Sequence, residues 1–269
     1  MSGKVFLIGA GPGSVDLLTL RAARVLENAD VVLYDALVGP DILRLTKTNA
    51  RLINVGKRCG KKALSQEDIN ALLVYWARTG DVVVRLKGGD PGIFGRAAEE
   101  AAELREAGIQ FEVVPGVTAA CSAAAAAGIS LTDRHVASQV VFATAHHSDE
   151  NSERRFASAA REGRTLVLYM PGHDYQRIFE ELVQAGLAAD TPCVVVSRIA
   201  SPDQEVLWTD LRALALHPEL PSPSVLIIGE VARRRSAVVE VDDQLSTWTA
   251  TVVQQYLADE ADSQQQLSA

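Results

Sequence analysis

The sequence predicts an α/β protein made of two α/β domains with a ligand cleft between them. Three observations lead there. Short runs rich in Val and Ile alternate with segments of helical period as far as residue 229. Two glycine-rich stretches, "GAGPG" (9–13) and "GGDPGIFG" (88–95), each follow such a run and precede a helical pattern. A Pro115–Gly116 break divides the alternation into two series, giving expected domains at 1–115 and 116–235. The 269-residue chain is long enough for either one large domain or two small ones, with ample core.

In the first series, 4–9, 30–35, 51–56, 81–86 and 111–116 read as strands, and 16–28, 65–78 and 95–107 as helices. Ser65 is placed to cap the second helix, with Asp68 three residues on completing a capping box. Gly108 stops the third helix. The second series opens with an alanine-rich helix, 117–128. Strands follow at 139–145, 165–170, 193–199 and 224–229, with helical stretches at 152–162 and 174–185. Clefts between such domains are where small ligands bind.

Composition narrows the function classes. Apolar residues make up 48% and charged residues 22%, an ordinary globular mixture. No run reaches the ~18 apolar residues that span a bilayer, and no basic-then-apolar leader opens the chain. Cys59, Cys121 and Cys193 are odd in number, far apart and outside any CxxC, so reduced thiols of a cytoplasmic protein are expected. His146, His147 and His173 lack ligand spacing, and no metal is expected. The net charge of −8 disfavours nucleic acid. Much of that charge sits in 236–269, which carries six acids and no Lys or Arg and reads as a partly disordered appendage. The nearly neutral body can therefore hold local basic patches, such as Lys57, Arg58, Lys61 and Lys62.

The first glycine turn is not a full dinucleotide fingerprint. Its spacing is G-x-G-x-G, Ser14 stands where the last glycine belongs, and Pro12 removes one backbone donor. Asp35, at the end of the second strand, would suit a ribose-binding acid. A nicotinamide-dependent oxidoreductase and a non-catalytic nucleotide-binding regulator therefore stay open, as does a plain βα turn. The second loop tips the balance towards a ligand held by backbone groups at the carboxyl ends of strands.

Taken with "GAGPGSVDLLTLRA", "LYDALV", "GKRCGKK", "VRLKGGDPGIFGR", "VPGVTAA" and "PSVLIIGEV", in this order and spacing over roughly residues 4–235, the chain resembles the tetrapyrrole methyltransferase family. The resemblance implies S-adenosylmethionine in the interdomain cleft of a homodimer. It implies C-methylation of uroporphyrinogen III at two pyrrole carbons to give precorrin-2, on the sirohaem, cobalamin or haem d1 branch. A relative acting on a later corrin precursor is the near alternative. The chain is expected to act without the dehydrogenase–chelatase module of bifunctional relatives.

The resemblance also implies roles by position. Pro12, Gly88, Gly89, Asp90, Ile93, Thr118, Ala119, Met170, Ile199 and Ile227 match cofactor-contacting positions. For Met170 and the two isoleucines the competing reading is strand core. Arg96, Glu99 and Arg134 match the tetrapyrrole side, with an Arg96–Glu99 helix-face pair as the competing reading. Asp35 matches the general base and Lys57 the proton donor. Gly92, Ala97, Ala98, Lys62 and Asp133 depart from the family pattern, which bears on substrate choice more than on the cofactor.

Overall fold

The computed structural model describes residues 3–56, 64–145 and 156–233. Lys57, Arg58, Cys59, Lys61, Lys62, His146, His147 and the acidic segment 236–269 lie outside the described residues. Residues Met1–Arg233 hold together as one unit.

Among the described residues, ten strands form two five-stranded sheets. The first contains β1 (Lys4–Gly9), β2 (Val31–Tyr34), β3 (Arg51–Asn54), β4 (Val82–Lys87) and β5 (Phe111–Val114) in the order β3-β2-β4-β1-β5. Every pairing in it is parallel. Helices cover both faces, as a parallel sheet requires. On one face α3 (Gln66–Arg78) and α4 (Ala97–Glu106) bury Leu73 and Leu104 against Leu7, Leu33 and Val83. On the other, α1 (Leu20–Leu26) and the short α2 (Pro40–Leu43) bury Leu26 and Ile42 against Ile8, Val32 and Val84.

The second sheet is mixed, in the order β6-β7-β10-β8-β9. Its strands are β6 (Gln139–Thr144), β7 (Arg164–Tyr169), β8 (Pro192–Ser197), β9 (Glu205–Asp210) and β10 (Ser224–Ile228). Only the β6–β7 pairing is parallel. The alanine face of α5 (Ala119–Ala126) lies against Val167, Val194, Val196 and Ile227, where small side chains allow close packing. On the opposite face are α6 (Phe156–Ala159), α7 (Tyr175–Gln184) and α8 (Leu211–Ala215).

The expected α/β class holds, with three local corrections. The helix expected over 16–28 is a 3₁₀ turn, Val15–Leu17, followed by α1. Leu18 is extended, and Thr19 restarts the helix by accepting a hydrogen bond from the Ala22 amide at 3.2 Å. The helix expected from residue 95 starts at Ala97, because Arg96 is left-handed with φ 57°. The segments α2, β9 and α8 were not expected as elements. The capping box is present: Ser65 Oγ accepts from the Asp68 amide at 3.1 Å, and Asp68 Oδ2 accepts from the Ser65 amide at 3.0 Å. Cys121 and Cys193 are free thiols, and burial pushes Cys193 well above its ordinary range. No helix among the described residues is long and apolar enough to cross a membrane.

Candidate active site

The strand order puts β1 beside β4, yet the chain leaves their carboxyl ends in opposite directions, towards β2 and towards β5. Ligands of open α/β sheets bind at such a switch point. Both glycine loops start here, and they are joined to each other. The Gly11 amide donates to the Gly89 carbonyl at 3.1 Å, and the Gly89 amide donates to the Gly11 carbonyl at 2.7 Å. Gly9 and Gly116 pack behind this bridge. A Cβ on Gly116 would stand 2.3 Å from the Gly89 carbonyl oxygen, and one on Gly9 would stand 2.6 Å from the same atom.

This geometry bears on whether the turn suits a dinucleotide. A pyrophosphate cradle needs free amides and a helix N-terminus directly after the turn. Here the Gly11 amide is engaged, and α1 begins only at Leu20. The turn therefore spends one of its amides on the bridge and has no α-helix N-terminus directly behind it, unlike a dinucleotide cradle.

Beyond the bridge opens a cleft of about 190 Å³. The first sheet contributes Gly11 and Pro12 after β1, Leu37 after β2, and Gly88, Gly89, Asp90, Ile93 and Phe94 after β4. The other wall is Thr118 and Ala119 at the start of α5, Tyr169 and Met170 at the end of β7, Ile199 after β8, and Pro223–Val225 entering β10. Nine of the ten expected cofactor residues thus share one cleft. The exception is Ile227, which is fully buried in the core of the second sheet between Val167 and Val194.

The loops are firmly held. Asp90 uses one carboxylate oxygen to accept from the Gly92 amide at 2.8 Å and the other to accept from the Gly116 amide at 2.9 Å. The Tyr169 hydroxyl lies 2.6 Å from Thr118 Oγ1 and accepts from the Ala120 amide at 3.1 Å, so it caps α5. Burial raises the Tyr169 phenol above its ordinary value, against the pull of these hydrogen bonds. Its ring meets Phe94 at 5.0 Å between centroids. Phe94 and Met170 are left-handed at φ 50° and 49°, and Arg198 and Ala200, either side of Ile199, at 47° and 59°. Side chains seldom adopt this conformation, and it gathers where a scaffold fixes a ligand site.

Asp35 sits at the carboxyl end of β2, 30% exposed, with Oδ1 accepting from Arg85 Nη2 at 2.5 Å. Arg85 itself is buried in β4. Its Nε donates to Glu100 Oε1 at 2.9 Å, and Nη1 to the Leu86 carbonyl at 3.2 Å. Lys87 is also buried, and its ammonium donates to the same Glu100 oxygen at 2.9 Å. Burial, then the adjacent Arg85 charge, lowers Lys87 below the ordinary lysine range, while Glu100 opposes the shift. The sequence reading missed this cluster. Its signal was two cations at alternate positions of a strand otherwise apolar, a face that demands a buried counter-ion.

Arg96 and Glu99 make the helix-face pair. Arg96 Nε and Nη2 donate to the two Glu99 oxygens at 2.8 and 2.6 Å. Hydrogen bonding raises Arg96 and lowers Glu99. Both are more than half exposed, so the pair adds about 0.2–0.5 kcal/mol to the helix. Arg134 is exposed in the turn closed by Asp133 and Ala137. Gly92 and Ala98 are exposed, while Ala97 is buried under the sheet. His173 pairs with Glu219 away from the cleft.

Comparison with known proteins supplies the context. Residues 4–215 match the family model described as Tetrapyrrole (Corrin/Porphyrin) Methylases. A siroheme synthase of Zymomonas mobilis is 45% identical over 235 residues, covering 87% of this chain and 50% of that protein. The chain spans about half the length of the curated relatives it matches. Among solved structures, the native uroporphyrin III C-methyl transferase of Thermus thermophilus is 36% identical with a TM-score of 0.75, over 86% of this chain and 99% of that one. A Thermus thermophilus structure of such an enzyme complexed with S-adenyl homocysteine is 37% identical with a TM-score of 0.73, over 86% and 94%.

Proposed function

The chain belongs to the tetrapyrrole methylases, and from that premise we propose that it transfers methyl groups from S-adenosylmethionine to two pyrrole carbons of uroporphyrinogen III, giving precorrin-2. The observation that carries this reading is the cleft at the bridged glycine loops, in a fold shared with a relative solved with S-adenyl homocysteine.

The cleft suits that group. Its lining is largely apolar, with the backbone of Gly88–Gly89 and Thr118–Ala119 and the side chains of Asp90, Thr118, Tyr169 and Ser224 as polar features. An added Cβ on Gly89 would meet nothing nearer than the Ala119 amide nitrogen at 3.9 Å, so this backbone borders open space. Pro12, Gly88, Gly89, Ile93, Thr118, Ala119, Met170 and Ile199 would hold the cofactor, and Asp90 would keep its loop in shape. When bound, S-adenosylmethionine supplies a methyl group already activated on a sulfonium. What remains for the protein is alignment, exclusion of water and, for each methyl transferred, removal of one proton.

Asp35 is the base in this reading. Arg85 fixes Oδ1, while Oδ2 has no hydrogen-bond partner among the described residues and is left to take the macrocycle proton. Arg96 and Arg134 present guanidinium groups to the substrate carboxylates, Arg96 by exchanging its Glu99 partner. Lys57, outside the described residues, keeps the role of proton donor. We further infer a cytoplasmic homodimer, as the resemblance implies.

The test is incubation with S-adenosylmethionine and enzymatically made uroporphyrinogen III, followed by mass analysis. The expected product carries two added methyl groups. Methylation of a later corrin precursor with none of uroporphyrinogen III would move the chain to another branch of the family. Saturable NAD binding without any methylation would overturn the reading.

A further inference from the structure

Glu100 is fully buried in α4, and Oε1 alone receives Arg85 Nε, Lys87 Nζ and, at 3.4 Å, Gln66 Nε2. Its other oxygen, Oε2, is buried with no hydrogen-bond partner. Charges removed from water this completely cost the fold more than well-packed apolar side chains of the same volume would. Stability therefore does not explain why Arg85, Lys87 and Glu100 lie beneath the switch point, with Lys87 immediately before Gly88.

Arg85 supplies the explanation. Its guanidinium is planar, so fixing one edge fixes the direction of the others. Glu100 holds the Nε edge and the Leu86 carbonyl holds Nη1, which leaves Nη2 pointing at Asp35 Oδ1, 2.5 Å away. Lys87 in turn holds Glu100. The line of contacts runs from a helix on one face of the sheet to the carboxylate at the end of β2.

The geometry points to Glu100 as a positioning residue for methyl transfer, one that sets the direction of the Asp35 carboxylate through Arg85 without touching substrate or cofactor. This rests on the reading of Asp35 as the base.

The experiment separates stability from turnover. Lys87→Met with Glu100→Leu removes the buried pair together. Arg85 Nε loses its buried acceptor, so melting below the wild-type temperature with a cooperative transition is expected. Turnover at saturation is expected to fall ~10-fold or more, with KM for uroporphyrinogen III and affinity for S-adenosylhomocysteine within ~3-fold. Lys87→Met with Glu100→Gln keeps an acceptor for Arg85 Nε and should recover kcat to within ~3-fold of wild type. Should the leucine variant fail to fold, Glu100→Asp withdraws the acceptor by one methylene and must show the same selective loss. A folded leucine variant with wild-type kcat, or a glutamine variant as slow as it, overturns the proposal. Asp35→Asn in the same assay distinguishes the two failures. If Asp35→Asn is slow while the leucine variant is fast, the proposal alone falls. If Asp35→Asn turns over normally, the reading of Asp35 falls and the proposal with it.

Discussion

Gly116 packs on the Gly89 carbonyl, yet a methyl group should do different harm at each of the two glycines. At Gly116 the new Cβ would stand 2.3 Å from the Gly89 oxygen and 2.8 Å from Gly9 Cα. Both neighbours are backbone, so neither can rotate away. Overpacking of this kind costs about 1–3 kcal/mol, and rigid walls on two sides put Gly116→Ala at the upper end. For a domain of this size that is a fall of about 6–12 °C in Tm. At Gly89 the nearest atom is 3.9 Å away, so there is no clash, but φ is +68°. An alanine held there costs about 1–2 kcal/mol, or roughly 2–8 °C. Its methyl group would occupy the cleft, and the affinity for S-adenosylhomocysteine should drop at least ~10-fold, about 1.4 kcal/mol. The assays are thermal melting of each variant and calorimetric titration with S-adenosylhomocysteine. The reasoning is refuted if Gly89→Ala binds as tightly as wild type, or if Gly116→Ala melts higher than Gly89→Ala.

Asp35→Asn should leave S-adenosylhomocysteine affinity within a few-fold and lower single-turnover methylation by roughly 10²–10⁴; weakened binding with an unchanged rate would return Asp35 to a ribose-binding role. Ser65→Ala removes the capping box of α3 and should cost about 1 kcal/mol, or roughly 2–4 °C, without altering ligand affinity. Asp30 is held below its ordinary value by its hydrogen bond to Lys47 and then by the Val82 amide. A depressed acid stabilises the fold above its unfolded pKa, near ~3.9, and that contribution fades as pH falls through the lower folded value. Asp30→Asn should therefore melt below wild type at pH 7, with the gap closing on acidification beneath ~4; a gap that stays constant would contradict the assignment.

The first sheet was legible because its central strands β1, β2 and β4 are short, Val- and Ile-rich and mostly buried, and because glycine and proline mark strand ends. The same marks located the cleft floor, since close backbone approach leaves glycine in the sequence. The far wall was only partly legible. Tyr169 and Pro223–Val225 reach the cleft through the mixed pairing of the second sheet, and nothing local announces that pairing. β9 was missed as an edge strand whose Glu205, Thr209 and Asp210 dilute its apolar signal. Ile227 was placed at the cofactor by the family resemblance, with strand core as the competing reading, and its side chain lies in the core. The Arg85–Glu100–Lys87 cluster was hidden by separation in sequence: helix and strand residues 13 and 15 positions apart meet only when α4 lies on β4.

The hydrogen-bonded pair Gly11–Gly89 has a practical consequence. Two strands end just before it, and the Gly11 and Gly89 amides, each two residues past its strand, pair across the cleft floor. Glycine nitrogens resonate in a corner of the amide spectrum apart from other residues. Both protons are shielded while the floor is closed and exchange with solvent when it parts. Their exchange rates therefore measure opening of the floor itself, whatever happens at the exposed rim of Leu37, Phe94 and Met170. The protein thus carries its own gauge of cleft motion, at two atoms that need neither a dye nor a substitution.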